Sequence, residues 1–535
     1  MLMFALGSKV DKLFSKWNRP DSPGCALGII KDGKLIYKRG YGSANLEYGI
    51  PITSKTVFRI GSVSKQFTAF CIALLLWRKD ISLDDDVREY IPELPRFEKP
   101  IKVKHLIHHT SGLPDYLELM ELTGMSHEVN YSPEDVIDVL SRLRRLNFTP
   151  GEKYSYSNTN YFLLGIIVER VTGKPLSRFA EENIFKPLGM ENTHFHDDHT
   201  LIVKNRAVGY APKDNGFRIC ETILDIVGDG GVFTTVEDLY IWDQNFYKNR
   251  LEGGDELIKI VHTPGRLNDG REIKYAFGLI IDEYRGLKVV RHGGAFAGFR
   301  AEMMRFPEQK FTVICLCNLA TINPTKLAKK VADICLSQYF IKELPIIRPV
   351  ELPHHKIQKL TGIYANPDTG LACWVGTERG ELVLNIYGLK LKLIPVSERV
   401  FRTPNDSPME LSVEFKISNG LPSSMTIKFP DEGEEELLKR VEPPSLSATK
   451  LEEYIGVYYS SELRTHYKVG ISKDKLVFKH RRAPKAPLTP IMKDTFLVND
   501  PYMMVSFMRR KDGEIVGFIV TTSRSTGGIY FEKVA

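Results

Sequence analysis

Ser62 and Lys65 are the residues best placed for nucleophilic chemistry; they lie three apart in F-R-I-G-S-V-S-K-Q-F-T-A-F-C-I-A-L-L-L-W, residues 58–77. Val63, Phe67, Phe70, Leu74 and Trp77 recur at three- and four-residue steps, the spacing of one buried helical face. A helix is therefore expected to start near Ser62, with the hydroxyl at its positive end and Lys65 one turn along on the same side. A serine alcohol needs an adjacent base at neutral pH. A lysine serves as one only where burial or neighbouring positive charge brings its pKa down from ~10.4. The plain alternative is a capping serine beside a solvated lysine. Ser-x-x-Lys recurs at Ser447/Lys450, beside Pro443-Pro444, and at Ser472/Lys475, around a polar turn. Neither opens an apolar helix, so context selects the first.

Two other stretches carry chemistry-bearing residues. Tyr156-Ser157-Asn158 follows the break at Pro150-Gly151 and feeds a strongly apolar helix that Gly173 ends. Tyr-x-Asn also occurs at Tyr247 and Tyr364, without that setting. His292-Gly293-Gly294 falls inside a strand-like run, where glycines let another backbone or a ligand come close. His105, His108 and His109 suggest a metal site, but their helical spacing reads better as packing and capping. His194, His196 and His199 lie in a polar connection with Asp197 and Asp198. Neither cluster is read as a metal site. Cys315-x-Cys317 sits in the strand-like F-T-V-I-C-L-C, with both side chains on one side, and reads as core.

The elements that must hold these residues are legible from pattern. Residues 24–42 form a hairpin about Asp32-Gly33. Ser132-Pro133-Glu134-Asp135 starts a helix whose buried face is Val136, Ile137, Leu140 and Leu143. Residues 277–318 read as antiparallel strands, followed by a helix from about Pro324 to Tyr339. At 535 residues the chain is too long for one core. The net charge of +7 is spread along it without a basic arm or an aromatic-interleaved stripe, which argues against nucleic acid as a partner. No window reaches the ~20 apolar residues of a membrane span, and the first residues lack a basic segment and a cleavage site. A cytoplasmic location without membrane attachment is expected, in keeping with seven cysteines that lie largely in apolar runs.

After Phe340 the pattern changes. A proline-spaced linker (343–355) leads into a region where helical periodicity vanishes and a repeat appears. Gly362 and Gly456, Val375 and Val469, and Leu382 and Leu476 are each 94 residues apart. Each copy has short strands and turn signals, so two small antiparallel barrels are expected, at 356–442 and 451–535, split by a linker at 443–450.

In order and context, Ser62/Lys65, Tyr156/Asn158 and His292-Gly293-Gly294 resemble the three signatures of serine β-lactamases and penicillin-binding proteins. Y-S-N and H-G-G are the versions found in hydrolases related to class C β-lactamase. H-H-T-S-G-L at His108 and G-D-G-G-V-F-T-T-V-E-D-L at Gly228 also look like that family. The resemblance implies an α+β catalytic domain over 1–342: an antiparallel sheet flanked by helices, with a helical insertion. With S-G-L-P-D-Y, Y-S-S-E-L at Tyr459 and two C-terminal barrels, the likeness is nearest to bacterial D-aminopeptidases. By this resemblance Ser62 forms an acyl-enzyme, and Lys65 and Tyr156 move the proton. Asn158 holds the substrate amide and His292 joins the tyrosine network. The strand at Gly294 and Ala295 borders the substrate, with the N–H groups of Ser62 and Ala295 as oxyanion hole. No cofactor is implied.

One departure bears on substrate. In D-aminopeptidase-like enzymes a loop of the last barrel helps select a free amine. Here the corresponding stretch, Lys479 to Pro487, contains Arg481 and Lys485 and no carboxylate. Such a loop repels an ammonium and attracts a carboxylate; the alternative is a solvated surface loop. The expected partner is a small peptide, amide or ester, and a homodimer is the candidate assembly. The leading expectation is a D-stereospecific aminopeptidase. Its rivals are an esterase or D,D-carboxypeptidase/β-lactamase-like hydrolase, and a non-catalytic penicillin-recognising module.

Overall fold

The structure is a computed structural model that describes residues 2–343, 349–404, 407, 409–430, 434–444, 448–499 and 502–535. Ser447 and parts of both expected linkers (344–348 and 445–447) lie outside the described residues. The chain forms two compact units. One comprises Met1–Leu113, His127–Ser141 and Phe148–Leu344; the other comprises Pro114–Ser126, Arg142–Asn147 and Pro345–Ala535.

The first unit is built on a six-stranded sheet. Its strands run in the order Ile280–Tyr284, Leu287–Phe296, Phe299–Phe306, Phe311–Cys317, Cys25–Lys31, Lys34–Tyr41, every neighbour antiparallel. The expected hairpin is present, with Asp32 and Gly33 both at positive φ in its turn. Every residue of Phe311–Cys317 is buried, because both faces of the sheet are covered there. On one face lie the helices Leu2–Phe14 and Pro324–Cys335, which bring Val10, Phe14, Leu327 and Val331 onto Leu27, Val313 and Cys315. The first of these was not anticipated. On the other face lies the helix Val236–Asn245. Its Trp242 ring is 4.7 Å from Phe67 and 5.2 Å from Phe70, and its indole N–H donates to Gln66 at 3.0 Å. That contact docks the helix carrying Lys65 against the helix that covers this face of the sheet.

Residues 58–77 depart from expectation in three respects. Ser62 lies in a short 3₁₀ turn, Gly61–Ser64, and the α-helix proper runs Lys65–Arg78. All residues from Lys65 to Leu75 are buried, so this helix is enclosed on every side. Trp77, read as part of a buried face, is 38% exposed.

In the second unit, strands from Gly362–Asn366 to Glu434–Val441 form a closed antiparallel barrel, the first pairing with the last. The other sheet has nine strands. Its outermost strands, Ala486–Pro487 and Thr489–Met492, are separated in sequence only by Leu488, so the sheet curls almost to closure. The repeat extends beyond the strands. Tyr364 donates its phenol to the Leu360 carbonyl, and Tyr458 does the same to Tyr454, both at 2.8 Å. Contrary to expectation, helices do not vanish here: His354–Lys359 and Ala448–Glu452 open the two copies, again 94 residues apart. The Pro114–Ser126 segment is tied into this unit through Glu118, whose carboxylate accepts from the Thr522 and Ser525 hydroxyls and the Arg524 N–H. Among the described residues no helix is long and apolar enough to cross a membrane.

Candidate active site

Backbone meets backbone at the turn that carries Ser62. Gly61 takes φ +52°, and a Cβ there would sit 2.7 Å from the Ala295 nitrogen. A Cβ on Gly294 would fall 1.9 Å from the Ile60 carbonyl oxygen and 3.1 Å from the Ser62 nitrogen. Only glycines allow this approach. It brings the Leu287–Phe296 strand against the Ser62 turn, with Ala295 exposed beside it.

Lys65 is fully buried, and its ammonium has three acceptors: Ser62 Oγ at 3.1 Å, Asn158 Oδ1 at 2.9 Å and the Asp229 carbonyl at 2.5 Å. Three N–H bonds meet three acceptors. An amine that has given up one proton can turn its lone pair to Ser62 Oγ and keep the other two partners. The Asp229 carbonyl was missed from sequence. It belongs to the glycine-rich stretch at Gly228, whose backbone is gripped by the same turn and helix: Thr68 donates to the Gly228 carbonyl at 2.7 Å, and Ser64 Oγ accepts from the Val232 N–H at 3.0 Å.

Asn158 opens the Asn158–Thr172 helix, which ends on Gly173 in the left-handed conformation, as expected. Tyr156, half-buried just before it, has its ring centroid 4.9 Å from Lys65 Nζ and 6.3 Å from the His292 ring centroid. Ser62, Lys65, Tyr156, Asn158 and His292 are thus neighbours. Arg481 and Lys485 belong to the second unit, exposed in the loop after Lys475–Lys479.

His292 is turned toward a residue that sequence reading did not single out. Its Nε2 accepts from the Tyr275 phenol at 2.9 Å, and its Nδ1–H donates to the Gly293 carbonyl at 2.6 Å. A carbonyl only accepts, which fixes the tautomer. Burial, reinforced by the nearby Lys65 charge, lowers its pKa from 6.5 to about 3. Burial also raises Tyr275 well above the usual phenol value, so it stays a donor.

The other histidines act mainly as hydrogen-bond partners. His105 accepts from the Lys102 N–H at 3.1 Å, and His108 donates to the Tyr275 carbonyl at 3.2 Å. His194 bonds His196 at 3.2 Å, and His199 pairs with Asp225 at 2.8 Å. Cys315 and Cys317 lie in the core as expected, and the strand register adds Cys25, 3.1 Å from Cys317 sulfur to sulfur.

Burial of neutral histidines has a measurable consequence. His292 and His108, the latter lowered by burial to about 4, stay unprotonated in the fold, whereas the unfolded chain binds protons near pH 6.5. Stability is therefore expected to fall as pH drops below 6.5, by about 1.4 kcal/mol per pH unit for each such residue. Urea midpoints at pH 7 and pH 5 measure this. In His108→Gln the slope should shrink by roughly one proton; an unchanged slope would refute the assignment.

An antiparallel sheet with helices on both faces, holding a serine beside a buried lysine and a tyrosine, defines the class of serine hydrolases. Comparison with known proteins agrees. The sequence pattern of the Beta-lactamase family matches residues 10–335. A D-aminopeptidase of Gluconobacter oxydans (strain 621H) is 30% identical over 378 residues, 70% of this chain and 68% of that protein. Penicillin-binding protein 4* of Bacillus subtilis (strain 168) is 30% identical over 433 residues, 76% of this chain and 93% of that protein. Among solved structures, the octameric penicillin-binding protein homologue from Pyrococcus abyssi has a TM-score of 0.58 at 27% identity, covering 82% of this chain and 100% of that one. The chain belongs to the Beta-lactamase family, and it is a serine hydrolase.

Proposed function

We propose that this hydrolase is a D-stereospecific aminopeptidase that releases N-terminal D-residues from peptides or amides through an acyl-enzyme on Ser62. The observation that carries the reading is the buried Lys65 amine bridging Ser62 Oγ and Asn158 Oδ1. Ser62 Oγ attacks the substrate carbonyl while Lys65 and Tyr156 together take its proton and pass it to the leaving amine. Water then cleaves the ester. The N–H groups of Ser62 and Ala295 stabilise the oxyanion, and Asn158 orients the substrate amide. His292, neutral, supports the strand rather than exchanging protons. The D-aminopeptidase relative supports the substrate class.

The catalytic domain at 1–342, the barrels at 356–442 and 451–535, a cytoplasmic location and a homodimer form part of the same proposal. If the loop carrying Arg481 and Lys485 lines the cleft, its field adds tolerance of, or a preference for, acidic substrates. A second reading, an esterase or D,D-carboxypeptidase-type hydrolase, is favoured by the 93% coverage of penicillin-binding protein 4*.

Turnover of D- and L-alanine p-nitroanilides, each free and N-acetylated, decides between them, with D-glutamyl p-nitroanilide reading the effect of the basic loop. The aminopeptidase should cleave free D-alanyl at least about 100-fold faster than L-alanyl, on the order of 2.7 kcal/mol of discrimination, and should lose turnover on N-acetylation. Equal turnover of the acetylated compound would overturn it in favour of the second reading.

A further inference from the structure

The H-H-T-S-G-L motif has no part in the chemistry above, yet one of its residues is bound to the tyrosine loop on both sides of Tyr156. His109 is fully buried and is a non-glycine residue at φ +53°. Bulky side chains seldom adopt that conformation, and where they do the surroundings hold them there. Its carbonyl accepts the Ser155 N–H at 2.9 Å. Its ring Nδ1 lies 3.3 Å from the Ser157 backbone nitrogen. A backbone N–H can only donate, so Nδ1 is an acceptor and also receives the Asn160 side-chain amide, at 3.0 Å. That amide is oriented by Ser111, whose hydroxyl donates to Asn160 Oδ1 at 2.6 Å. The imidazole also packs against Tyr156 itself, centroids 4.3 Å apart, and against Tyr275 at 4.6 Å.

We propose that His109 is a positioning residue for the hydrolysis: it clamps residues 155–160 so that the Tyr156 phenol and Asn158 stay in register with Lys65 and Ser62. The proposal rests on the reading of Tyr156 as a proton carrier. One residue grips all of these: its carbonyl holds the residue before Tyr156, and its imidazole holds the residue after it, the Tyr156 ring and the helix that Asn158 opens. A purely apolar side chain could accept neither of the two hydrogen bonds that Nδ1 receives. The left-handed backbone lets carbonyl and ring of the same residue reach the same loop.

The test compares His109→Gly with His109→Asn in the full chain. Both tolerate positive φ. Glycine removes ring and acceptor, while asparagine keeps an oxygen near the place of Nδ1. His109→Gly is expected to slow both covalent labelling by a fluorophosphonate and kcat for D-alanine p-nitroanilide by about 100-fold, with KM within about threefold. His109→Asn should recover to within about tenfold of wild type. Hydrogen–deuterium exchange of peptides spanning 154–160 supplies a readout independent of turnover, accelerated in the glycine variant and near wild type in the asparagine variant. Wild-type exchange and wild-type rates in His109→Gly would overturn the clamp, as would an asparagine variant no better than glycine in both. If the wild-type chain neither labels nor turns over, the acyl-enzyme reading fails on its own, and the exchange data still decide whether His109 holds the loop. Should the glycine variant not fold, near-wild-type rates and exchange in His109→Asn support the clamp, and rates below about 1% of wild type refute it.

Discussion

Ser62→Ala is expected to abolish covalent labelling by a fluorophosphonate and to reduce kcat/KM by about 10⁶-fold, while Lys65→Met reduces it by about 10³- to 10⁴-fold. The two effects differ in kind. In the proposed mechanism, removing the hydroxyl removes the atom that forms the ester, whereas removing the amine leaves that atom in place and takes away one of the two groups that move its proton. Methionine follows the lysine stem as far as Cε and leaves empty only the place of the ammonium, so the loss is chemical rather than a cavity effect. It takes a charged donor from Asn158 Oδ1 and from the Asp229 carbonyl, at about 1.5–3 kcal/mol each. It also removes the cost of holding an ammonium out of water, several kcal/mol in the opposite sense. Stability should therefore change little while activity collapses. Single-turnover labelling followed by intact mass, alongside urea denaturation, separates the two quantities. A Lys65→Met variant that labelled at the wild-type rate would remove the lysine from the mechanism.

How much of this site could be read from the chain depends on how local each part is. Ser62 and Lys65 were legible because three residues along a helical path bring two side chains together without help from the rest of the fold. Tyr156 and His292 were legible as motifs, but their geometry was not. The Tyr275 phenol reaches His292 because Tyr275 lies beside the strand that carries it, and no local pattern marks a tyrosine for that. The Asp229 partner of Lys65 is a backbone carbonyl, which every residue has, so no residue type could announce it. His109 was noticed as one of three histidines at helical spacing. Its role depends on a left-handed backbone that spacing does not encode.

The helix after Ser62 was misread for a related reason. Phe67, Phe70 and Leu74 do form an apolar stripe, but Ala69, Cys71 and Ala73 on the other sides are equally buried. Trp242, which covers Phe67 and Phe70, comes from a helix far along the chain. Periodicity finds the most apolar face and cannot count how many faces other elements cover. The barrels, by contrast, were legible because duplication repeats the same strands and turns at a fixed offset, and even the Tyr364 and Tyr458 hydrogen bonds obey it.

Gly294→Ala carries the other large effect, although it changes no chemical group. Across the pair of strands, Gly294 is in register with Ala301, which fixes the strand on one side. The Ile280–Tyr284 strand pairs only as far as Arg291, so on the other side the Ser62 turn takes its place. A methyl carbon 1.9 Å from the Ile60 oxygen must be moved away by more than 1 Å, and both partners in the clash are backbone. The Ile60 oxygen cannot simply yield, because it accepts the Val63 N–H that closes the turn at 3.2 Å. Relief therefore separates the Ala295 N–H from the Ser62 N–H, the two donors of the proposed oxyanion hole. The expected loss in kcat/KM is about 10²- to 10³-fold, with a destabilisation of about 1–3 kcal/mol. Gly293→Ala is the control. Its Cβ would first meet Glu302 Oε2 at 3.2 Å, the end of a side chain rather than backbone, so less than about tenfold should be lost. Equal activities in the two variants would mean that the close approach of strand and turn does not set the oxyanion geometry.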